Sequence, residues 1–260
     1  MKIASWNVNS LKVRLPQVLD WINLNQPDVL CLQETKQNND NFPHDVFEKR
    51  GLFSYHNGQN TYNGVAIISN KELIDVQFDI PNFYDEQKRL ISGIYPNDED
   101  PKFRVISAYI PNGQSLNSDK FEYKMNWLKS FINFLQTKID GIENIITGDF
   151  NIAPSTLDCY DTKSWDGKIL VSPQEREYFD KLLNLGFIDT FREMNPYANE
   201  FSWWDYRIPF KRNLGMRIDH ILLSKTLLPF LKKAYIDKAT RTLERPSDHV
   251  PVVTELSLNP

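Results

Sequence analysis

Four short polar segments punctuate the apolar runs of this chain: Trp6-Asn7-Val8-Asn9, Gln33-Glu34-Thr35-Lys36, Gly148-Asp149-Phe150-Asn151 and Ser247-Asp248-His249. They offer the carboxamides of Asn7 and Asn151, the carboxylates of Glu34, Asp149 and Asp248, and the imidazole of His249. Oxygen donors of this kind suit a hard divalent cation, magnesium first with manganese able to substitute, and the histidine can act on a phosphate. The runs before the first three segments (Lys2-Ile3-Ala4-Ser5, Asp28-Val29-Leu30-Cys31-Leu32 and Asn144-Ile145-Ile146-Thr147) read as buried strands. Strands of one sheet bring distant positions to a common end, and polar groups there line a crevice.

Each residue has two readings. Glu34 ends an apolar strand, where a carboxylate is costly unless metal-bound or paired, for instance with Lys36. Asn7 is a neutral oxygen ligand, a carboxylate-orienting amide, or a turn residue. Asp149 and Asn151, two apart in an extended segment, point to one side and can aim a water between them. The competing reading is an Asx turn ahead of Pro154. His249, when protonated, can stabilise charge on a nonbridging phosphate oxygen, and it needs a partner on its other nitrogen. Asp219, in Arg217-Ile218-Asp219-His220, is the candidate, with His220 turned to the opposite face as a structural residue. Tyr109 is a phosphate donor or a core-edge tyrosine. Dense tryptophan in Phe201-Ser202-Trp203-Trp204-Asp205-Tyr206 normally means core. With Arg207, Lys211, Arg212 and Arg217 following, it also suits a pocket for part of a nucleotide.

The elements that must position these groups alternate without a linker. Leu15, Val18, Leu19 and Ile22 recur at helical spacing, with Pro16 near the first turn and Pro27 beyond the end. A second helix is expected over Asp119 to Lys138, its stripe made of Phe121, Met125, Leu128, Phe131, Ile132 and Leu135. A third opens on the capping box Ser172-Pro173-Gln174-Glu175 and closes near Gly186. Strands are expected at Val65–Ser69, Leu73–Phe78, Leu90–Tyr95, Arg104–Ile110, Arg217–Leu223 and Val250–Leu256. Several follow one another with no helix between, which argues against a purely parallel doubly wound sheet. The pattern predicts a mixed α/β protein, two packed sheets with helices outside, as one domain over residues 1–260.

Composition agrees. With 41% hydrophobic residues in a chain of 260, one sizeable core is within reach. Two cysteines are too few for a disulfide framework, and there is no run of about 18 apolar residues, so a reducing cytoplasm and no membrane span are expected. Net charge is −4, yet residues 206–245 carry 10 Lys/Arg against 3 Asp/Glu, a local +7 that leaves −11 elsewhere. That stretch reads as a solvated basic face or as a phosphate-binding side.

In this order the motifs resemble the exonuclease III family of apurinic/apyrimidinic endonucleases, within the endonuclease/exonuclease/phosphatase superfamily. The likeness runs from Ile3-Ala4-Ser5-Trp6-Asn7 through Leu32-Gln33-Glu34-Thr35-Lys36, Asn63-Gly64-Val65-Ala66, Gly148-Asp149-Phe150-Asn151, Phe201-Ser202-Trp203-Trp204-Asp205-Tyr206-Arg207 and Leu214-Gly215-Met216-Arg217-Ile218-Asp219 to Pro246-Ser247-Asp248-His249. It implies a four-layer sandwich, two sheets face to face with helices outside. It implies Glu34 as the principal magnesium ligand, with Asn7 and Asp248 as further metal-site groups. By the same likeness Asp149 positions or deprotonates the attacking water beside Asn151, and His249, held by Asp219, meets the scissile phosphate. Tyr109 and Asn112 match phosphate contacts. Trp203 matches the wall of a pocket for an extruded baseless sugar, with Met216 and Ile218 near its other side and Arg207 among the substrate contacts. The expected partner is double-stranded DNA with abasic sites or blocked 3′ ends, handled by a monomer. Ser10 stands where some relatives carry glycine, and Met216 where some carry tryptophan or leucine; neither removes a reacting group. Two rival functions remain: a phosphoesterase on the same scaffold with a non-DNA substrate, and a non-catalytic DNA-binding relative.

Overall fold

Runs that are apolar at every position can be satisfied only if both faces of their strands are covered. The computed structural model describes residues 1–96, 102–137 and 142–258, and in it both faces are covered. The strands in chain order are β1 (Lys2–Asn7), β2 (Val29–Gln33), β3 (Phe53–Asn57), β4 (Val65–Ser69), β5 (Ile74–Phe78) and β6 (Leu90–Tyr95). Then come β7 (Lys102–Tyr109), β8 (Ile142–Asp149), β9 (Phe187–Asp189), β10 (Asp219–Ser224), β11 (Leu231–Ile236) and β12 (Val252–Leu256). They form two mixed six-stranded sheets, ordered β11-β12-β1-β2-β4-β3 and β5-β6-β7-β8-β10-β9. The helices are α1 (Leu11–Asn25), α2 (His44–Glu48), α3 (Asp119–Gln136), α4 (Thr162–Trp165), α5 (Pro173–Asn184) and α6 (Thr190–Met194).

Alternation along each strand sorts the side chains into layers. Ile3, Val29, Cys31 and Ile67 face Ile91, Val105, Ile145 and Ile221 across the space between the sheets. Ala4, Trp6, Leu30 and Leu32 point the other way, onto Val18 and Ile22 of α1. Ile106, Ala108, Ile146 and Leu222 pack outward on Trp127 and Phe131 of α3 and on Phe179 and Leu182 of α5. Each such side chain contributes about 1.5–3 kcal/mol by leaving water. The result is the four-layer sandwich, helix–sheet–sheet–helix. Ser172 and Glu175 form the expected capping box at α5, with Pro173 in its first turn. Both cysteines are free and buried, and among the described residues no helix is long and apolar enough to cross a membrane.

The structure departs from the sequence reading in four places. First, α1 begins at Leu11, which puts Pro16 inside the helix rather than in its first turn. The amides of Ser10 and Leu11 donate to the carbonyls of Glu34 (2.7 Å) and Thr35 (3.0 Å), so a loop distant in sequence starts the helix. Ser10 adopts φ 93° there, a conformation that favours glycine. Second, α3 is rolled: Lys124 and Trp127 are buried, whereas Phe121 and Met125 are only partly so. Lys138, the expected end, lies outside the described residues. Third, the sequence pattern gives neither the short helices α2, α4 and α6 nor three of the strands, β3, β9 and β11. These three are edge strands, short or mixed in polarity, which periodicity reads poorly. Fourth, the basic stretch is not one face. Arg217 is buried between Asp158 and Asp189, Arg207 pairs with Asp205, Lys238 pairs with Glu200, and Lys232 and Lys233 are exposed on edge strand β11. A charge count registers no partners.

Candidate active site

Register brings the reacting groups to one edge of the sandwich. β1 and β2 run parallel with Asn7 opposite Gln33, so Glu34 follows at the same end. β7 and β8 run parallel with Tyr109 opposite Asp149, and antiparallel β10 places its first residue, Asp219, opposite Asp149 on the other side. His249 lies just ahead of β12, which is antiparallel to β1. A polar seam between the sheets supports this edge, with the Gln33 amide donating to the hydroxyls of Ser5 and Ser107, both at 3.1 Å.

These side chains form one line of hydrogen bonds, closed by an ion pair between His249 and Asp149. The Asn7 amide nitrogen donates to Glu34 Oε1 and to Asp149 Oδ2, each at 2.9 Å. The Tyr109 hydroxyl donates to Glu34 Oε1 at 2.9 Å, and Lys36 Nζ sits 2.8 Å from Glu34 Oε2. His249 Nδ1 donates to Asp219 Oδ2 at 2.8 Å, and its Nε2 lies 3.6 Å from Asp149 Oδ2. The Ser202 hydroxyl, 2.6 Å from Asp219 Oδ2, fixes that carboxylate. Ser247 ties its loop to the Asn7 carbonyl at 2.7 Å.

The remaining expected residues lie around this line. Asp248 accepts from Asn9 Nδ2 (2.9 Å) and from the Trp203 indole (3.0 Å), which places it beside the metal-site edge and makes it the brace of Trp203. Asn151 stands at φ 51°, so the segment is not extended; its backbone N–H donates to Asp149 Oδ1 at 2.9 Å in an Asx turn. The Asn151 side chain donates to the Ile110 carbonyl and accepts from Asn112 Nδ2, both at 2.9 Å, forming an amide pair next to Asp149. Trp203 is half-buried, with its ring centre 6.4 Å from that of His249. Met216 and Ile218 are buried with Ala153, Cys159, Leu170 and Val171, and this cluster backs the Trp203 wall. Arg207 is exposed and folded onto Asp205, outside the line.

Burial and charge separate the titrating groups. Burial pushes the Asp149 carboxyl up, and Asp219 adds to the effect, against the pull of His249 and Asn7; the result is about 7. Burial would push the His249 imidazole down, but Asp219 and Asp149 outweigh it and hold the ring protonated, up to about 10. Burial also acts upward on Glu34, yet Lys36, Asn7 and His249 keep it below the usual carboxylate range. The Tyr109 hydroxyl is raised well above its ordinary value by burial and by Glu34, so it is a donor throughout.

The donor set fits a hard cation. Glu34 and Asp149 present carboxylate oxygens, no thiolate is near, and among the described residues buried Asp219 Oδ1 has no hydrogen-bond partner. Asn7 turns its NH2 to both carboxylates while its Oδ1 accepts from the Asn9 backbone N–H at 3.0 Å, so of the two expected readings it is the carboxylate-orienting amide and not the oxygen ligand. Asp149, Asp219 and His249 hold ligand atoms within 4.8 Å of one another.

Sequence reading missed Asn9, Lys36 and Ser202 as members of the site. Lys36 entered only as a salt-bridge alternative for Glu34; its bonds to Glu34 and to Asn9 Oδ1 (2.6 Å) join two of the quoted motifs. Their spacing held that signal, since Asn9 and Lys36 close the two motifs whose strands pair.

The chain belongs to the endonuclease/exonuclease/phosphatase family, whose model it matches over residues 4–249. It is 37% identical to exodeoxyribonuclease III of Haemophilus influenzae, a match covering 98% of this chain and 99% of that one. Among solved structures it is similar to the 3′ phosphatase NExo from Neisseria, bound to a product DNA hairpin (TM-score 0.94, 44% identity, 99% of each chain). It is also similar to an AP endonuclease from Archaeoglobus fulgidus (TM-score 0.93, 34% identity, 99% and 100% of the chains).

Proposed function

We propose that this chain is a DNA repair nuclease that hydrolyses the phosphodiester 5′ to an abasic site, leaving a 3′-hydroxyl, and that trims blocked 3′ ends of duplex DNA as a monomer. The observation that carries this reading is the continuous line Glu34–Asn7–Asp149–His249–Asp219, in which a proton acceptor and a fixed cation face each other across 3.6 Å. Relatives named as an exodeoxyribonuclease, a 3′ phosphatase and an AP endonuclease support the substrate class.

The roles follow from the geometry. Asp219 orients the His249 ring and keeps it cationic, so Nε2–H donates to a nonbridging oxygen of the scissile phosphate. A protonated ring has no lone pair for a metal, so His249 serves the phosphate while Glu34 and Asp149 would hold the ion, oriented by the Asn7 amide. Magnesium, when bound there, neutralises charge on the phosphate oxygens. Asp149, raised toward neutrality, takes the proton of the attacking water, which the Asn151 amide steadies. Asn112, which uses one of its two amide protons on Asn151, donates the other toward the phosphate; Tyr109 fixes Glu34 with its one proton and reaches the phosphate only if substrate draws that proton from Glu34. Trp203, braced by Asp248, bounds a pocket for the baseless sugar, which is cheap to extrude because its stacking and pairing are already lost.

The test is a panel of labelled duplexes (abasic, 3′-phosphate, undamaged) and an inositol phosphate, each with magnesium and with excess chelator. Magnesium-dependent nicking 5′ to the abasic site and release of the 3′-phosphate are expected. Turnover of the inositol phosphate alone, or full activity in chelator, overturns the assignment.

A further inference from the structure

The molecule holds a second constellation that the mechanism above does not use. Lys124, in the middle of α3, is fully buried, and so is Glu175 in the first turn of α5. The Lys124 ammonium has three donors and three acceptors: the carbonyl of Asn151 at 2.7 Å, the carbonyl of Asn112 at 3.3 Å, and Glu175 Oε1. Glu175 in turn accepts from the backbone of Leu170 and of Ser172, both at 3.0 Å, and from the Ser172 hydroxyl at 2.6 Å. Every polar atom of the pair is matched.

What it grips is informative. Asn112 and Asn151 are the two residues whose side chains pair next to Asp149, and Asn151 is held in the left-handed region, where an unsupported side chain is strained. Gly113, at φ 87°, sits on this lysine: a Cβ there would lie 3.2 Å from Lys124 Cδ and 2.9 Å from Ile169. On the glutamate side, Leu170 receives the Ala153 amide at 2.8 Å and belongs to the cluster behind Trp203. One ion pair therefore spans the amide pair on one flank of the site and the pocket wall on the other. Burial acts to lower the lysine's pKa, and Glu175 counters it.

We propose that Lys124 and Glu175 are positioning residues, whose buried ion pair sets the Asn112–Asn151 amides against Asp149 and so governs turnover without touching substrate. This rests on the nuclease reading above. A displacement of about 1 Å at such a group is enough to cost about 100-fold in rate.

The experiment measures kcat and KM on abasic duplex for wild type, Lys124→Met, Asn151→Ala and the double variant, at a temperature where circular dichroism shows each folded. Leu182→Ala, a core truncation under α5, controls for lost stability. Lys124→Met should lower kcat about 10- to 100-fold with KM within about threefold, while Leu182→Ala stays near wild type. In the Asn151→Ala background the same lysine change should cost under about threefold, because the group it positions is already gone. Wild-type kcat in Lys124→Met, or equal losses in both backgrounds, overturns the proposal. Should Lys124→Met not fold, Glu175→Gln, which keeps the size and the acceptor, is read by the same rules. A wild-type protein inert on the DNA panel overturns the nuclease reading instead.

Discussion

Two buried charge clusters meet on one short stretch of chain, and they behave in opposite ways. Arg217 joins Asp158 (2.7 Å) and Asp189 (2.7 Å), and Arg192 adds a second cation to Asp158. Two residues on, Asp219 joins His249 and, through it, Asp149. Both clusters are shut off from water, a condition that raises a carboxyl group. In the first, permanent guanidinium charges overcome that and hold Asp158 and Asp189 below their usual range. In the second, no permanent cation among the described residues touches Asp149, so its carboxyl drifts up and the imidazole stays charged. The first cluster is a staple, joining the loop before Cys159 to β9 and β10. The second, on the proposed function, exchanges a proton or accepts an ion. Burial alone does not mark a site; unmatched charge among buried carboxylates does.

Exchanging charges tests the contrast most strongly. Asp149→Asn removes the acceptor and is expected to cut nicking of abasic duplex about 10²- to 10⁴-fold. Its melting temperature at pH 8 should equal or exceed that of wild type. The sign follows from linkage: a carboxyl with a raised folded pKa helps the fold below its unfolded pKa, and that help is lost as pH rises through about 7. A variant that loses activity by unfolding breaks the comparison.

Arg217→Met should do the reverse. It strips Asp189 of its guanidinium and leaves Asp158 with Arg192 alone, at a cost of about 3–5 kcal/mol, a fall of roughly 10 °C in calorimetry. Turnover per folded molecule, measured in the cold, should stay within a few-fold of wild type. Complete inactivity in a folded protein would make Arg217 part of the reaction.

The smallest effect concerns His220, whose Nδ1 accepts from Arg217 Nη1 (3.0 Å) and whose Nε2–H donates to the Ile152 carbonyl (2.9 Å). Burial and the neighbouring Arg217 depress its pKa to about 4. The unfolded chain then binds the extra proton between pH 6.5 and 4, so stability falls as pH drops through that window. At pH 5 the histidine's share is about 2 kcal/mol. Denaturant titrations of His220→Gln should therefore show a shallower loss from pH 7 to pH 5 than wild type; identical slopes would remove His220 from the staple.

The architecture was legible where the strands were buried on both faces. Val29–Leu32 and Ile145–Thr147 read as strands because nothing but a covered sheet accommodates such runs. β3 and β11, at the edges, carry the polarity of half-solvated chain and were not distinguishable from loop. Asn7, Glu34, Asp149 and His249 were legible as a set because each follows or precedes an apolar run. The Asn151 turn was legible only as the competing reading, since a left-handed asparagine and an extended one have the same letter; the structure takes the turn. Lys124 was hidden by its type, although it lies three residues after Phe121 and four before Leu128, on the apolar stripe of its own helix. A lysine at that register already pointed to a buried counter-charge, and Glu175 in the capping box was there to supply it.

The central claim is that the cluster around Asp149, with Glu34 beside it, takes a hard cation and the stapled one does not. Crystals soaked in manganese and measured for anomalous scattering test it most directly. A peak beside Glu34 and Asp149, with none at Asp158–Arg217–Asp189, is the predicted result. A protein crystal with full manganese in the soak and no density beside Glu34 and Asp149 would contradict it.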